Sequence, residues 1–188
     1  MATLAAAAAP RMLALRTLTA EAFAPFGRLI AVPGGRPTMA SAFNTSWALP
    51  FACSGDTQLA IVRFPYAPIR FSLFERHHHV SQAFVALPGA TSAFVVAPPT
   101  PYARTPDPDA VMAFRFAPGD GVILHKGTWH TLGRLPLAPP GATSLMITEA
   151  ETTVEFVAAA GGGPPPRRSD LADLASVGAF FAIDLPAD

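Results

Sequence analysis

The sequence lacks an excess of either charge, a second cysteine and any long apolar run, and each absence excludes a class of protein. Its 13 basic and 13 acidic residues balance, so nothing draws it over long range to nucleic acid or to an anionic membrane. The single cysteine, Cys53, can form no internal disulfide and requires no oxidising compartment. Its apolar runs fall short of the roughly 18 residues that span a bilayer, and residues 1–10 lack the charged start of a secretory signal. We therefore expect a cytoplasmic protein with no nucleic-acid or membrane partner.

Proline and glycine divide the chain into short segments. With 188 residues, of which 51% are hydrophobic and 14% charged, it is long enough for one domain with a substantial core. Its 21 prolines and 14 glycines exclude long helices. Between these breaks, β-branched and aromatic residues predict strands at 28–32, 58–66, 69–79, 82–87, 92–97, 111–116, 121–124 and 144–148. Many short strands with no helical stretch between them predict an all-β barrel or sandwich.

The composition predicts four regions and two short peripheral helices. Thr19 is expected to cap a helical turn that ends at Gly27. Ser169 is expected to cap a helix over 170–177 that has Leu171 and Leu174 on one face and stops at Gly178. Beyond it, Phe180, Phe181 and Ile183 are expected to form a docking strand or a partner contact. The regions are a flexible N-terminal tail at 1–16, a β-barrel domain at 17–160, a Gly/Pro linker at 161–168 and a C-terminal helix/strand extension at 169–188.

All five histidines fall into two clusters. The first is His77-His78-His79, on a predicted strand that also contains Glu75 and Arg76. Side chains alternate along a strand, so Glu75 is expected to share a face with the first and third histidines, while Arg76 points the other way. The second cluster lies in His125-Lys126-Gly127-Thr128-Trp129-His130, with a tight turn at its lysine and glycine.

Together the two clusters resemble the two motifs of the cupin superfamily. The first motif is commonly H-x-H, three or four residues, E, six residues, G; this chain has Glu75-x-His77, four residues, Gln82, six residues, Gly89. The second motif, commonly P-x-G-x-x-H, corresponds to the segment 125–130. The resemblance implies a cupin-type jelly-roll β-barrel in which these positions converge on one metal. The implied ligands are Glu75, His77, Gln82 and His130.

The donor atoms of this set suit a divalent transition metal. Imidazole nitrogen and carboxylate oxygen are ligands for Mn, Ni, Zn or Fe. Glutamine is a neutral and weaker ligand than the glutamate of the common motif, so weaker binding is expected. A metal-free pocket in which the same groups hold a polar substrate directly is the alternative, and no organic cofactor is expected.

The two segments are more specifically similar to the ureidoglycolate lyase family, whose members have the cupin fold. The similarity rests on Glu75-Arg76-His77, Gln82-Ala83-Phe84 and Gly121-Val122 followed by Leu124 to His130, and it runs from about Leu18 to Ile147. It implies a carbon–nitrogen lyase of the amidine type that splits ureidoglycolate into glyoxylate and urea in purine (allantoin) breakdown. It also implies a small-molecule carboxylate as partner and a homodimer, with which the apolar Phe180 and Phe181 are compatible.

Cleavage of ureidoglycolate requires that a base remove the hydroxyl proton and that an acid protonate the departing nitrogen. Histidine serves in either role near neutral pH, and arginine pairs well with a carboxylate. The candidate catalytic residues are Glu75, His77, His130, Lys126 and His125. The candidate substrate-binding residues are Arg63, Arg76, Gln82 and Trp129.

Two other functions remain open at this point. The chain has Thr131 where family members usually carry a second histidine, and Ile147-Thr148-Glu149-Ala150 where they commonly carry an Asp-Arg pair. These departures leave room for a closely related hydroxy acid as substrate. The alternatives are another cupin enzyme, such as a metal-dependent dioxygenase or an isomerase, and a non-catalytic cupin that binds a small ligand.

Overall fold

The computed structural model describes residues 9–67 and 70–185, and short strands dominate it. Two α-helices are α1 (Ala20–Phe23) and α2 (Ala150–Ala160), and 3-10 turns occupy Pro108–Ala110 and Leu174–Val177. None of these helices has the length and apolar character that crossing a membrane would require. The strands are β1 (Arg11–Arg16), β2 (Gly27–Leu29), β3 (Met39–Ala40), β4 (Thr45–Ser46), β5 (Thr57–Pro65), β6 (Arg70–Phe71), β7 (Leu73–His77), β8 (Ala83–Ala86), β9 (Ser92–Ala97), β10 (Met112–Phe116), β11 (Gly121–Leu124), β12 (Trp129–Thr131), β13 (Leu135–Pro136), β14 (Gly141–Glu149), β15 (Ser169–Asp173) and β16 (Phe181–Asp184).

Two curved sheets face each other across a shared core. The larger has the strand order β15-β7-β12-β9-β10-β1-β16-β6, with β13 paired to β9, and the smaller has the order β2-β11-β8-β14-β5. Side chains from both sheets meet in one cluster, in which Phe94 and Phe114 of the larger sheet pack with Phe84 and Val122 of the smaller. This arrangement confirms the prediction of an all-β, cupin-type barrel with short peripheral helices.

Strand β9 is buried along its whole length because both of its faces are covered. Phe94 and Val96 point into the barrel core. Ala93, Val95 and Ala97 belong to a second core on the opposite face, which contains Leu174, Phe181 and Ile183 of the C-terminal segment. The C-terminal segment is therefore part of the folded barrel.

The N-terminal segment differs from its prediction as a flexible tail. Residues 11–16 form β1, which pairs in parallel with both β10 and β16. Leu13 and Leu15 alternate with exposed residues and pack against the second core, which supplies the burial that fixes the strand. Residues 1–8 of the predicted tail lie outside the described residues.

The C-terminal segment also differs from its prediction, because the expected helix over 170–177 is absent there. Its first half is strand β15, paired antiparallel with β7 over five residues, and only its second half is a 3-10 turn. Leu171, expected on a buried helical face, is 50% exposed, whereas Ala172 and Leu174 are buried. Pairing with β7 thus outweighs local helix propensity. The predicted stop is confirmed, since Gly178 ends the turn in the left-handed conformation with φ 75°.

Helix α2 was not predicted, and the docking of the C-terminal phenylalanines was predicted only as one of two options. Phe181 is fully buried, and Phe180 lies beneath the Arg70 guanidinium at 4.6 Å. The option of a docking strand therefore holds for Phe181, which lies in β16, whereas Phe180 is only partly buried. At the other end, the predicted cap of α1 is confirmed, because Thr19 Oγ1 accepts the Ala22 N–H at 3.2 Å.

Candidate active site

Strands β7 and β12 bring the two histidine clusters together. They are antiparallel neighbours, and His130 lies directly opposite Glu75. Alternation along β7 turns Glu75 and His77 towards the inside of the barrel and Arg76 towards the outside, as the sequence predicted. Residues more than fifty positions apart in the chain therefore share one site.

The carboxylate and the two imidazoles lie close enough to act as one group. Glu75 Oε1 is 3.9 Å from His77 Nε2 and 3.6 Å from His130 Nδ1. The two imidazole ring centroids are 5.2 Å apart. One ligand atom from each residue lies within 4.8 Å of the other two, as a single metal ion would require.

This group borders a cavity of about 240 Å³ between the two sheets and α2. Glu75, His77, Gln82 and Arg134 form its polar end. His130 lies behind this surface and is 1% exposed. The remaining lining residues, apolar ones and threonines, are Val62, Phe64, Phe84, Leu132, Met146, Thr148, Thr152, Thr153, Phe156 and Val157.

Gln82 precedes β8 and is fixed by residues of the neighbouring strand β14. Its Nε2 donates to Thr148 Oγ1 at 3.1 Å and approaches Met146 Sδ at 3.5 Å. Its Oε1 is buried and has no hydrogen-bond partner among the described residues. The amide oxygen is therefore free to accept a hydrogen bond from a ligand or to bind a metal.

Arg134 places a buried positive charge beside Glu75. It follows β12, is 3% exposed, and its Cζ lies 3.6 Å from the ring centroid of Phe94 and 4.1 Å from that of Phe84. Its Nε and Nη1 find no hydrogen-bond acceptor in the described part of the chain. A buried guanidinium with two unused donors is suited to bind an anion that enters the cavity.

Burial shifts the pKa values of the whole group. Loss of hydration raises the pKa of Glu75 to about 8, although the charge of Arg134 opposes the shift. Burial, followed by the charges of His78 and Arg134, lowers the pKa of His77 to about 4. Burial also lowers the pKa of Arg134 to about 9, against the attraction of Glu75.

His130 is also held neutral. Burial is the largest cause that lowers its pKa well below 6.5, and the charges of His77 and Arg134 act in the same direction. A hydrogen bond of 2.9 Å from its Nδ1–H to the Thr131 carbonyl acts in the opposite direction. At neutral pH without a metal, the site therefore contains a carboxylic acid, two neutral imidazoles and a guanidinium.

The donor set fits a divalent metal. His77 Nε2 and His130 Nε2 are buried and have no hydrogen-bond partner among the described residues, as expected of nitrogens meant for a metal or a substrate. Their Nδ1 atoms contact Ser169 Oγ at 2.8 Å and the Thr131 carbonyl, the kind of outer contact that orients metal-binding histidines. With Glu75, the set has two imidazoles and one carboxylate, and Gln82 Oε1 can be a fourth donor.

Two of the predicted substrate-binding residues lie on the outside of the barrel wall. Arg76 is buried there, bonded to Asp170 at 2.6 Å and to the Thr100 carbonyl at 2.6 Å. Its guanidinium lies 4.5 Å from the Trp129 ring centroid. The indole N–H of Trp129 donates to Thr100 Oγ1 at 2.9 Å. The structure thus gives Arg76 and Trp129 packing partners away from the cavity.

Three further candidates do not line the cavity. Lys126 and His125 are exposed in the turn between β11 and β12, where His125 Nε2 contacts the Ala24 carbonyl at 3.3 Å. Arg63 is exposed on β5, because alternation turns its neighbours Val62 and Phe64 into the cavity and Arg63 outwards.

Arg134 and the residues of α2 were not predicted from the sequence as parts of the site. Arg134 belongs to neither cupin motif, and the only signal for it is an arginine between Gly133 and Leu135 shortly after His130. The signal for α2 was its composition, since the stretch is rich in alanine and glutamate, which favour helix.

The fold and this cavity define a cupin-type barrel with a site for a small molecule. A family model described as ureidoglycolate lyase matches residues 10–155, and the chain therefore belongs to the ureidoglycolate lyase family. It is 35% identical over 127 residues to a ureidoglycolate lyase from Burkholderia cepacia. The aligned region covers 63% of this chain and 70% of that protein. Over 131 residues it is 35% identical to one from Pseudomonas syringae pv. syringae, covering 64% and 74%. The corresponding protein of Azotobacter vinelandii is 34% identical over 128 residues, covering 64% and 75%.

Proposed function

We propose that this chain is a lyase that splits ureidoglycolate into glyoxylate and urea, and thus an amidine-type carbon–nitrogen lyase. One observation carries the proposal: Glu75, His77 and Arg134 face the same cavity in a chain of the ureidoglycolate lyase family. These residues supply an acid, a base and a positive charge, which are the groups that the reaction needs.

Arg134 is the group suited to hold the substrate. Ureidoglycolate is a small anion whose central carbon carries a hydroxyl, a carboxylate and a ureido nitrogen. Among residues 9–67 and 70–185, the Nε and Nη1 of Arg134 find no acceptor, and a guanidinium pairs with a carboxylate through two parallel hydrogen bonds. This assignment replaces the earlier candidates Arg63, Arg76 and Lys126, whose side chains lie elsewhere.

His77 is the group suited to accept the hydroxyl proton. Its Nε2 has no hydrogen-bond partner in the described part of the chain, the residue lines the cavity, and its lowered pKa keeps the imidazole neutral at pH 7. As the O–H bond breaks, its electrons form the carbonyl of glyoxylate, and the C–N bond electrons leave with the ureido nitrogen. A positioned base contributes about 10²- to 10⁴-fold to the rate of such a step.

Glu75 is the group suited to protonate the departing nitrogen. Because burial raises its pKa to about 8, the carboxyl carries a proton at neutral pH in the metal-free cavity. That proton goes to the nitrogen and completes urea. The imidazolium of His77 then returns a proton to the Glu75 carboxylate, whose Oε1 lies 3.9 Å from its Nε2, and the starting state is restored.

A divalent ion, taken from Mn, Ni, Zn or Fe, is the proposed cofactor of an alternative, metal-bound form of the site. Glu75, His77 and His130 would hold the ion, and the amide oxygen of Gln82 would be the fourth donor. No organic cofactor is part of the proposal. In that form His77 Nε2 and the Glu75 carboxyl would hold the ion, so they would not transfer the protons of the metal-free scheme. Such an ion lowers the pKa of a hydroxyl that binds it. With the ion present, Glu75 is a carboxylate, and the positive charge of Arg134 still favours an anionic substrate.

The test is incubation of the purified protein with racemic ureidoglycolate under anaerobic conditions, with glyoxylate and urea measured in equal amounts. We expect product in the wild type and at least about a 100-fold loss in Glu75→Gln. Lys126→Ala, which changes an exposed side chain outside the cavity, is the matched control and should keep the activity. Product formation no faster than without protein would refute the proposal. Loss of activity with a chelator, restored by one divalent ion, would identify the cofactor.

A second candidate function rests on the ligand set itself. Two histidines and one carboxylate are the iron ligands of many non-haem oxygenases, and Glu75, His77 and His130 have this composition. Oxygen uptake that depends on iron and on a small acid substrate would favour a dioxygenase. Urea release without oxygen would exclude oxygen as a reactant. A non-catalytic binding protein predicts that the ligand is bound and recovered unchanged.

The proposed partners are a small carboxylate substrate and a second copy of the chain. The substrate follows from the cavity and its guanidinium. The homodimer follows from the family resemblance alone, and light scattering of the purified protein measures it directly.

A further inference from the structure

We infer that Ser169 is a positioning residue that fixes the ring of His77 and leaves the lone pair of Nε2 facing the cavity. Ser169 Oγ lies 2.8 Å from His77 Nδ1, and both side chains are almost fully buried, with 3% and 4% exposed. A serine hydroxyl that accepts the Nδ1–H leaves Nε2 without a proton. That nitrogen is the one without a partner among the described residues.

Backbone pairing places the serine against the histidine. In the antiparallel ladder of β15 and β7, Ser169 is the direct partner of His77. The adjacent His78 N–H donates to the Arg168 carbonyl at 3.0 Å, which continues the ladder beyond the end of β7. Ser169 lies beyond residues 10–155, which the family model matches. The contact therefore comes from the additional C-terminal part of this chain.

The start of β15 is held in place by charged groups on elements that flank the cavity. The Arg168 guanidinium bonds to Glu149 at 2.9 Å, and Glu149, at the end of β14, is fully buried. Glu155 of α2 accepts the backbone N–H groups of Arg167 and Arg168 at 2.9 Å each. The serine is thus fixed relative to the same strand and helix that line the cavity.

A role in positioning explains why a polar side chain is buried here. A neutral imidazole carries hydrogen on one of its two nitrogens, and only the nitrogen without hydrogen can bind a metal or accept a proton. The hydrogen-bond partner of the nitrogen that carries the hydrogen selects this form of the ring. The catalytic consequence rests on the proposed function of His77. The selection of one ring form does not, because it depends only on the Ser169 hydroxyl accepting the Nδ1–H, which the ring shifts measure directly.

The experiment compares Ser169→Ala with Ser169→Thr, which keeps the hydroxyl, and with Leu171→Ala. Leu171 lies on the same strand with its side chain half exposed, so its variant controls for weaker pairing of β15. The first readout is the ¹⁵N chemical shifts of the His77 ring in the full-length, metal-free protein. We expect one form with hydrogen on Nδ1 in the wild type, Ser169→Thr and Leu171→Ala, and a mixture of the two forms in Ser169→Ala.

The second readout is the split between kcat and KM for ureidoglycolate. We expect kcat of Ser169→Ala to fall by about 10- to 100-fold, the usual effect of removing the outer partner of a site histidine, with KM little changed. An unchanged ring form in Ser169→Ala, or an equal change in Leu171→Ala, would overturn the inference. If the wild type releases no urea, the proposed function fails, and the ring shifts still decide the role of Ser169.

Discussion

Arg134 is a cation that the protein buries beside the carboxyl group of Glu75. Its Nε and Nη1 have no acceptor among the described residues, and it lies at the polar end of the cavity, which supports its proposed role in holding the substrate carboxylate. We expect Arg134→Gln to raise KM for ureidoglycolate by about 10- to 100-fold, because a hydrogen bond to a charged group contributes roughly 1.5–3 kcal/mol. Steady-state kinetics measure this directly.

The control for Arg134→Gln is the same substitution at Arg63. That arginine is exposed on β5, with its side chain directed away from the cavity. Its variant should keep KM within about twofold, in line with the small effect of exposed charges. Equal KM values for the two variants would show that Arg134 does not hold the substrate.

Glu75 makes the stability of the metal-free protein depend on pH in a defined direction. Its pKa rises from 4.5 to about 8 on folding, so the folded state favours the protonated carboxyl. The stability that Glu75 contributes to the wild type is therefore fully present below about pH 4.5 and is lost as pH rises through about 8. Glu75→Gln has no carboxyl to ionise, so its free energy of unfolding relative to wild type should increase across this range.

Chemical unfolding of both proteins at pH 5 and pH 8.5, after removal of metals, measures that difference. The two site histidines are present in both proteins, and their own titration therefore largely cancels in the comparison. A difference that stays constant between the two pH values would mean that the carboxyl is already ionised in the folded protein.

At the scale of single residues, part of the site could be predicted from the sequence. Glu75, His77, Gln82 and His130 follow from motif spacing and strand alternation, and they do meet. Arg134 could not be found in this way, because its position depends on how the chain turns after β12. Nothing in the spacing of residues shows that a turn folds back over two phenylalanine rings.

Helix α2 covers one side of the cavity, and its Phe156 contacts His77, the proposed base. The ring centroids of Phe156 and His77 are 6.0 Å apart, with the rings nearly perpendicular. Phe156→Ala should admit water and loosen His77. We expect kcat/KM to fall by about 10-fold or more, since small displacements of catalytic groups are costly. The control is Val154→Ala on the same helix, whose side chain is 67% exposed and should leave kcat/KM unchanged. Equal losses in the two variants would show that α2 acts only through stability.

The elements themselves were predictable where local pattern and burial agree. Strands β9 and β11 occupy the predicted residues, because continuous apolar runs bounded by proline and glycine allow little else. Strand β15 was predicted as a helix, since Leu171 and Leu174 have helical spacing and the competing partner, β7, is distant in sequence. Long-range pairing of this kind leaves no trace in a local pattern.

At the scale of the whole molecule, the site exists only because distant segments fold against one another. Strands β7 and β12 supply Glu75, His77 and His130. Strands β5, β8 and β14 supply most of the cavity wall, and α2 supplies one side. The barrel class was predictable from the density of strands and breaks. The closure of the barrel by the N-terminal and C-terminal strands was not, because it depends on parallel pairing of β1 with β16.

The most direct test of the central claim compares two adjacent histidines of one strand region. His77 lines the cavity, whereas His78 points outwards and contacts Asp170 at 3.1 Å. The measurement is the rate of urea release from ureidoglycolate by His77→Ala and His78→Ala. We predict a loss of at least about 100-fold for the first, as expected when a base is removed, and activity within a few-fold of wild type for the second. Similar rates for the two variants would contradict the assignment of the chemistry to this cavity.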